Sequence, residues 1–349
     1  MDAVKELIAL SELFGPSGCE DAVAAYIKER IEPLADDLTV DQMGNLIALR
    51  TAEGAPRGTL MLAAHMDEVG FMITRIEESG FLRFTTVGGI DPRVLPGRHV
   101  VLENGVRGVI GCKPIHLQKR EDRKKSIPTK SLYIDIGAKD KASAEKQVEL
   151  GAFATFAMES FVFGGGKKLA GKALDDRAGC AILMALLADL HARNVRFDYD
   201  IAFCFTVREE VGLSGASVVA NYLKPNKAIV LETTAIADIA EVDEAQTVAW
   251  QGKGGVLSLA DRSTIYDEDM IRLALSVGER EQIPVQVKRY LSGGNDAGSI
   301  HRSGVGVKCL ALSLPTRYLH TATNVIDLSD HASALALLKA VLPELDITK

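Results

Sequence analysis

Metal-capable side chains recur in this chain where apolar runs stop. His65 and Asp67 follow the run LMLAA, Asp175 and Asp176 lie in GKALDDRAG, Glu209 and Glu210 follow FCFTV, Glu232 follows AIVL, and His320 lies in PTRYLHTATN after CLALSL. Each has a structural explanation when taken singly. A strand-end histidine is commonly just hydrogen-bonded, and Asp175-Asp176-Arg177 could cap a helix and complement its dipole. Glu232 could sit at a surface edge, and Glu209-Glu210 could end a strand in solvent. Five strand ends that offer only imidazole and carboxylate are harder to ascribe to chance, because the ends of strands are where open α/β sheets build their sites.

Two histidines and several carboxylates, with no cysteine in the pattern, suit zinc or another first-row divalent ion. Charge selects the number of ions. Asp175, Glu210 and Glu232 bring three negative charges, which two divalent ions exceed by one, and a bound hydroxide neutralises that excess. One ion would leave the cluster negative, so a two-metal site with one bridging carboxylate is the better fit.

These residues need elements to hold them. The chain has 349 residues, 47% of them hydrophobic and 25% charged, enough for a large α/β domain and a smaller one. A formal charge of -7 argues against a basic nucleic-acid or anionic-membrane surface. The mixed-sign cluster LQKREDRKKSIPTK reads as a solvated loop. Five scattered cysteines read as free thiols. The first residues, MDAVKELIAL, lack the pattern of a signal peptide, and CAILMALLADL is too short to cross a bilayer, so a cytoplasmic location is expected.

Apolar spacing predicts a helix over residues 1–14, and Ser17-Gly18-Cys19-Glu20 reads as a capping box opening a second helix through about Ile31. LTVDQMGNLIALR predicts two strands around a Gly-Asn turn, and TLMLAAHMD a buried strand. Between residues 69 and 163 only short strands and turns appear, which predicts a β-rich insert. Alternation then resumes, with helices expected at 177–193, 214–223, 266–279 and from Ser329. Strands are expected at 198–207, 227–232, 284–290 and across GVKCLALSLP. Residues 1–68 and 164–349 would thus form one discontinuous α/β domain interrupted by the insert at 69–163.

The stretches AAHMDEVGFM, VGGIDPRVLPG, GKALDDRAG, FTVREEVGLSGA, GGNDAGSIHRSG and PTRYLHTATNVID together resemble the tetrahedral aminopeptidases, binuclear-metal glutamyl- and leucyl-type enzymes of the zinc-exopeptidase fold group. The resemblance runs in the family's order over nearly the whole chain. It implies a zinc-exopeptidase-like α/β/α sandwich with a small β-barrel-like domain inserted for dimerisation and assembly. It also implies that Asp175 bridges two divalent ions (zinc first, cobalt or manganese as alternatives), with His65 and Glu232 completing one ion and Glu210 and His320 the other. Glu209 would be the general base, Asp67 would orient His65, and the bond between Asp175 and Asp176 would be cis. Glu232 stands where many relatives carry aspartate. The implied function is removal of N-terminal residues from short peptides, in dimers that associate into a tetrahedral dodecamer, without nucleic-acid or membrane partners.

Other polar residues are less defined. Arg317 could meet substrate or pair with a nearby carboxylate, and the loop carrying Asp238 is a candidate for gripping the substrate amine. Gly293-Gly294-Asn295-Asp296 reads as turn chemistry before a short helix. Two rival functions remain open at this point. An endoglucanase-type glycoside hydrolase would use paired carboxyl groups without metal and leave His65, Asp175 and His320 unexplained. A non-catalytic assembly protein of the same fold would be expected to have lost a ligand, and none of the five positions has.

Overall fold

The structure, a computed structural model, describes residues 1–348. Helices α1 (Ala3–Glu12) and α2 (Asp21–Ile31) lead into strands β1 (Asp37–Val40), β2 (Leu46–Arg50) and β3 (Thr59–His65). Strands β4 (Gly70–Ile76), β5 (Leu82–Val87), β6 (His99–Leu102), β7 (Arg107–Gly111), β8 (Tyr133–Asp135) and β9 (Phe153–Phe156) follow, with α3 (Lys141–Glu145) before the last. Then come β10 (Phe161–Phe163), β11 (Lys168–Gly171), α4 (Leu174–Ala192), β12 (Asp200–Thr206), α5 (Ser214–Leu223) and β13 (Lys227–Ala235). The chain continues through β14 (Gly255–Leu257), α6 (Glu268–Arg280), β15 (Val285–Val287), α7 (Ala297–Ile300), β16 (Lys308–Thr316), β17 (Asn324–Asp327) and α8 (Leu328–Val341).

Eight strands form one sheet in the order β1-β2-β12-β3-β13-β16-β14-β15. Its middle strands are parallel and buried on both faces, which is why they read as unbroken apolar runs. Helix α4 packs on β3 and β13 and is itself covered by α1, α2 and α8, while α5 and α7 pack together on β12, β3, β13 and β16. Because α4 is enclosed on all sides, it is apolar around its circumference, with Cys180, Ile182, Leu183, Leu186 and Leu187 all inaccessible.

Strands β4 to β9 close into a six-stranded barrel in the order β4-β5-β8-β7-β6-β9. Its core is separate from that of the sheet and centres on Phe71, which meets Phe84 and Phe156 edge-on at 5.2 and 5.1 Å between ring centroids. The expected α/β/α sandwich with an inserted barrel is thus the observed architecture. A third, three-stranded sheet, β10-β11-β17, was not foreseen. Its strands have only three or four residues each, too few for a period-2 pattern to stand out.

The Ser17 capping box does not form. Helix α2 starts at Asp21 with Glu20 as its N-cap and no side-chain cap bond, because Ser17 Oγ donates instead to Asp67 Oδ2 at 2.6 Å. A charged, fully buried acceptor outcompetes the local backbone.

Candidate metal centre

The central strands pair unequally, and this opens the site. Strand β12 stays paired with β3 up to Thr206 and His65, whereas β3 leaves β13 after Ala63 and Val230. Beyond that point β13 runs on beside β16 through Ala235. Chain order also reverses between β3 and β13, so the crevice lies at the carboxyl ends of strands at a switch point. Glu232 therefore sits inside a longer strand than the expected 227–232, and it reaches the crevice because β3 no longer covers it.

Asp175 is the shared member. Its Oδ1 lies 3.3 Å from His65 Nε2, and its Oδ2 lies 3.2 Å from His320 Nε2. Glu232 Oε1 is 3.6 Å from His65 Nε2, and Glu210 Oε1 is 3.2 Å from His320 Nε2. His65, Asp175 and Glu232 thus present ligand atoms within 4.8 Å of one another, as do Asp175, Glu210 and His320. A third grouping, His65 with Glu209 and Glu210, meets the same limit. All five residues expected as ligands converge, and both imidazoles face carboxylates rather than apolar side chains.

Backbone geometry aims these groups. Ala173 has φ 51°, Asp175 and Asp176 leave helical φ/ψ, and the bond joining them is cis, so α4 is regular only from Arg177. Arg177 is fully buried and donates to the carbonyls of Met66, at 2.6 Å, and Leu10, at 2.6 Å, tying the segment after His65 to α1. On the other carboxylate segment the chain turns at Arg208, φ 57°, before the glutamate pair, and again at Gly212, φ 123°, after it. Asp67 holds that turn: Oδ1 accepts from the Glu209 N–H at 3.0 Å and Oδ2 from the Glu210 N–H at 3.1 Å. Its own carbonyl lies 3.1 Å from His65 Nδ1, which leaves Nε2 directed at Asp175.

The electrostatics of the cluster favour bound cations. Burial, then the neighbouring Asp175, pushes the Glu232 carboxyl well above the usual range, and burial, then Asp296 and Glu210, does the same to Glu209. Burial opposes a charged His65, but Glu232 and Asp175 outweigh it and hold the imidazole's pKa well above its ordinary value. Carboxylates crowded in this way without a cation are costly, and two divalent ions would relieve all of them at once. Imidazole and carboxylate donors are the set such ions take.

Several contributors were not legible in the sequence. The barrel reaches the site through the Gly89 carbonyl, 2.8 Å from His320 Nδ1. Asp296 is buried, and its Oδ2 accepts from the Thr206 hydroxyl at 2.6 Å. Lys288 lines the crevice. Arg317 and Asp238, in contrast, are taken up by each other in a two-pronged ion pair at 2.7 and 2.9 Å, and Asp238 does not line the crevice. The amine-gripping candidate is therefore withdrawn. The remaining cavity beside the cluster is about 220 Å³ and is walled by Glu209, Thr233, Ser258, Asn295 and Leu319 among others.

An α/β sandwich with a barrel insert, carrying two histidine–carboxylate clusters that share one aspartate at its switch point, defines a metallopeptidase of the zinc-exopeptidase-like fold. The chain belongs to the M42 glutamyl aminopeptidase family, whose profile matches residues 44–337. A TET aminopeptidase from a marine-sediment Thaumarchaeota archaeon superposes with a TM-score of 0.95 at 34% identity, covering 99% of this chain and 96% of the other. The TET1 peptidase of Pyrococcus horikoshii, which can assemble into a tetrahedron or a large octahedral shell, gives 0.86 at 37% identity over 99% and 100%. The lysyl aminopeptidase of Pyrococcus furiosus is 30% identical over 94% of this chain and 92% of its own. The protein is accordingly a metal-dependent aminopeptidase, and the glycosidase and non-catalytic alternatives are not favoured.

Proposed function

We propose that this aminopeptidase works with two divalent ions that share Asp175, removing N-terminal residues from short peptides. The observation that carries the reading is that the two oxygens of one carboxylate each face a different histidine, at 3.3 and 3.2 Å. His65 and Glu232 would hold one ion, and Glu210 and His320 the other. Such ions supply Lewis acidity that brings the pKa of water from about 15.7 toward 7 and polarises a peptide carbonyl. Zinc suits the donors first, with cobalt or manganese as alternatives.

Glu209 is the proton carrier in this reading. It lines the cavity and, among the described residues, its carboxylate has no hydrogen-bond donor of its own, unlike Glu210 on His320. Its carboxylate takes a proton from the attacking water and delivers it to the departing amine, while Asp67 keeps its backbone fixed. Asp67 also keeps the His65 ring oriented.

Residues 69–163 are proposed to serve as the assembly module of a homo-oligomer, dimers combining into a tetrahedral dodecamer. Support comes from the barrel's separate core and from the assemblies described for the Pyrococcus horikoshii relative. Among the described residues no helix is long and apolar enough to cross a membrane, and the cytoplasm is the proposed location.

A panel of aminoacyl p-nitroanilides with added zinc, cobalt or manganese tests this function. Hydrolysis should require a free α-amine and stop on chelation. Activity that persists after exhaustive chelation, or appears only on β-glucan, would contradict it.

A further inference from the structure

The two halves of the metal cluster stand on different supports. His65 is the last residue of β3 and Glu232 lies within β13, so strands of the large sheet hold both. Among the described residues neither is hydrogen-bonded to the barrel, and no residue of 69–163 lines the crevice beside them. Glu210 and His320 have no such frame. Both lie outside helices and strands, His320 at φ 55° with its side chain 34% exposed, against 2% for His65.

What these two rest on is the barrel. After β5 the Gly88-Gly89 turn runs against them, and the Gly89 carbonyl accepts from His320 Nδ1 at 2.8 Å. A carbonyl only accepts, so Nδ1 carries the proton and the neutral ring keeps its lone pair on Nε2, on the side of Asp175 and Glu210. Gly88, at φ 79°, packs so closely that a Cβ there would lie 2.8 Å from Val69 Cγ1 and 3.3 Å from Glu210 Cβ. Glycine is thus required twice, for its backbone angle and for the close approach. Ala322, two residues past His320, is buried in the barrel core, and the Thr323 hydroxyl lies 3.0 Å from Met158 Sδ just beyond β9. Val69 and Phe156 of the same core wall the small recess beside Glu210 and His320.

We propose that the Gly88-Gly89 turn of the barrel is a positioning element for one ion only, fixing Glu210 and His320, while the ion on His65 and Glu232 depends on the sheet. This rests on the two-ion reading above and goes beyond it, because it gives the barrel a part in the metal site of its own chain. Groups that orient a ligand ring are worth about 10- to 100-fold in metal affinity.

The test titrates cobalt(II) calorimetrically into metal-stripped native protein and into Gly88→Ala, Gly89→Ala and Ala322→Leu, with bound metal counted by mass spectrometry after gel filtration. The native chain should bind two ions. Gly88→Ala should weaken one of them by about 10- to 100-fold and leave the other unchanged. Gly89→Ala keeps the carbonyl, and its Cβ would meet only His320 Nδ1, at 3.6 Å, so it should bind both ions as the native protein does. Ala322→Leu overfills the barrel core under the His320 loop and should repeat the selective loss. Val69→Ala added to Gly88→Ala makes room for the new Cβ and should recover part of the affinity. His320→Ala identifies the ion concerned, since adding Gly88→Ala to it should weaken the remaining ion no further.

Equal weakening of both ions in Gly88→Ala, or two ions held as in the native protein, overturns the assignment. So does a further loss in the His320→Ala background. If Gly88→Ala does not fold, Ala322→Leu decides by the same criteria. A native chain that binds a single ion fails the two-ion reading and this inference with it, whereas two native ions that Gly88→Ala leaves alike overturn this inference only.

Discussion

Two neighbouring glutamates can hold different roles only where the backbone stops alternating, and Arg208 at φ 57° provides that break. Glu210 then joins Asp175 and His320, while the Glu209 carboxylate has no donor among the described residues. The same substitution should therefore fail in two ways. Glu209→Gln removes the proton acceptor and leaves the ligands, so turnover should fall by about 10² to 10⁴ with metal content unchanged. Glu210→Gln trades an anionic ligand for a neutral one, so one ion should be lost or held weakly and excess metal should restore part of the activity. Metal content by mass spectrometry beside peptide hydrolysis separates them. Equal metal loss in both variants would make both ligands, and loss in Glu209→Gln alone would reverse the roles.

At the scale of elements, α4 and α8 carry a titration outside the proposed ligand set. His331 on α8 is buried, its Nε2 has no hydrogen-bond partner among the described residues, and burial, against an opposing bond to the Ala178 backbone, lowers its pKa from 6.5 to about 4. A base depressed in this way adds stability above pH 6.5 that is lost as pH falls toward 4, about 3 kcal/mol across that window. Denaturant melts at pH 7 and pH 4 should show a stability gap narrower by about that amount in His331→Leu, and parallel pH profiles would contradict it. Strong local signals made many elements legible beforehand: α5 occupies the expected 214–223, and the buried parallel strands stand within a few residues of their apolar runs. What escaped was long-range. Ser17 matched a capping box, yet its partner is Asp67, and His320 is oriented by Gly89, far away along the chain. Arg317 and Asp238 looked available because nothing local shows that they pair. The five candidate ligands were legible as types at strand ends. That Glu232 lies inside β13 depends on where β3 and β13 part, which is a property of the folded sheet.

For the whole molecule, the surface bears on assembly. Strand β10 is the outer strand of its sheet, and Phe161, Val162 and Phe163 are all exposed on it. An uncovered apolar edge is a pairing hazard in a monomer, and an oligomer would cover it. Phe161→Lys combined with Phe163→Lys should shift sedimentation toward smaller species, and an unchanged distribution would remove this edge from the interface. The central claim, however, is that one aspartate joins two ions in each chain. Crystals grown with zinc, with diffraction recorded on both sides of the zinc absorption edge, test it most directly. The account predicts two anomalous peaks per chain flanking Asp175, one against His65 and Glu232 and the other against Glu210 and His320. A single peak, or two peaks with Asp175 outside both coordination shells, would contradict it.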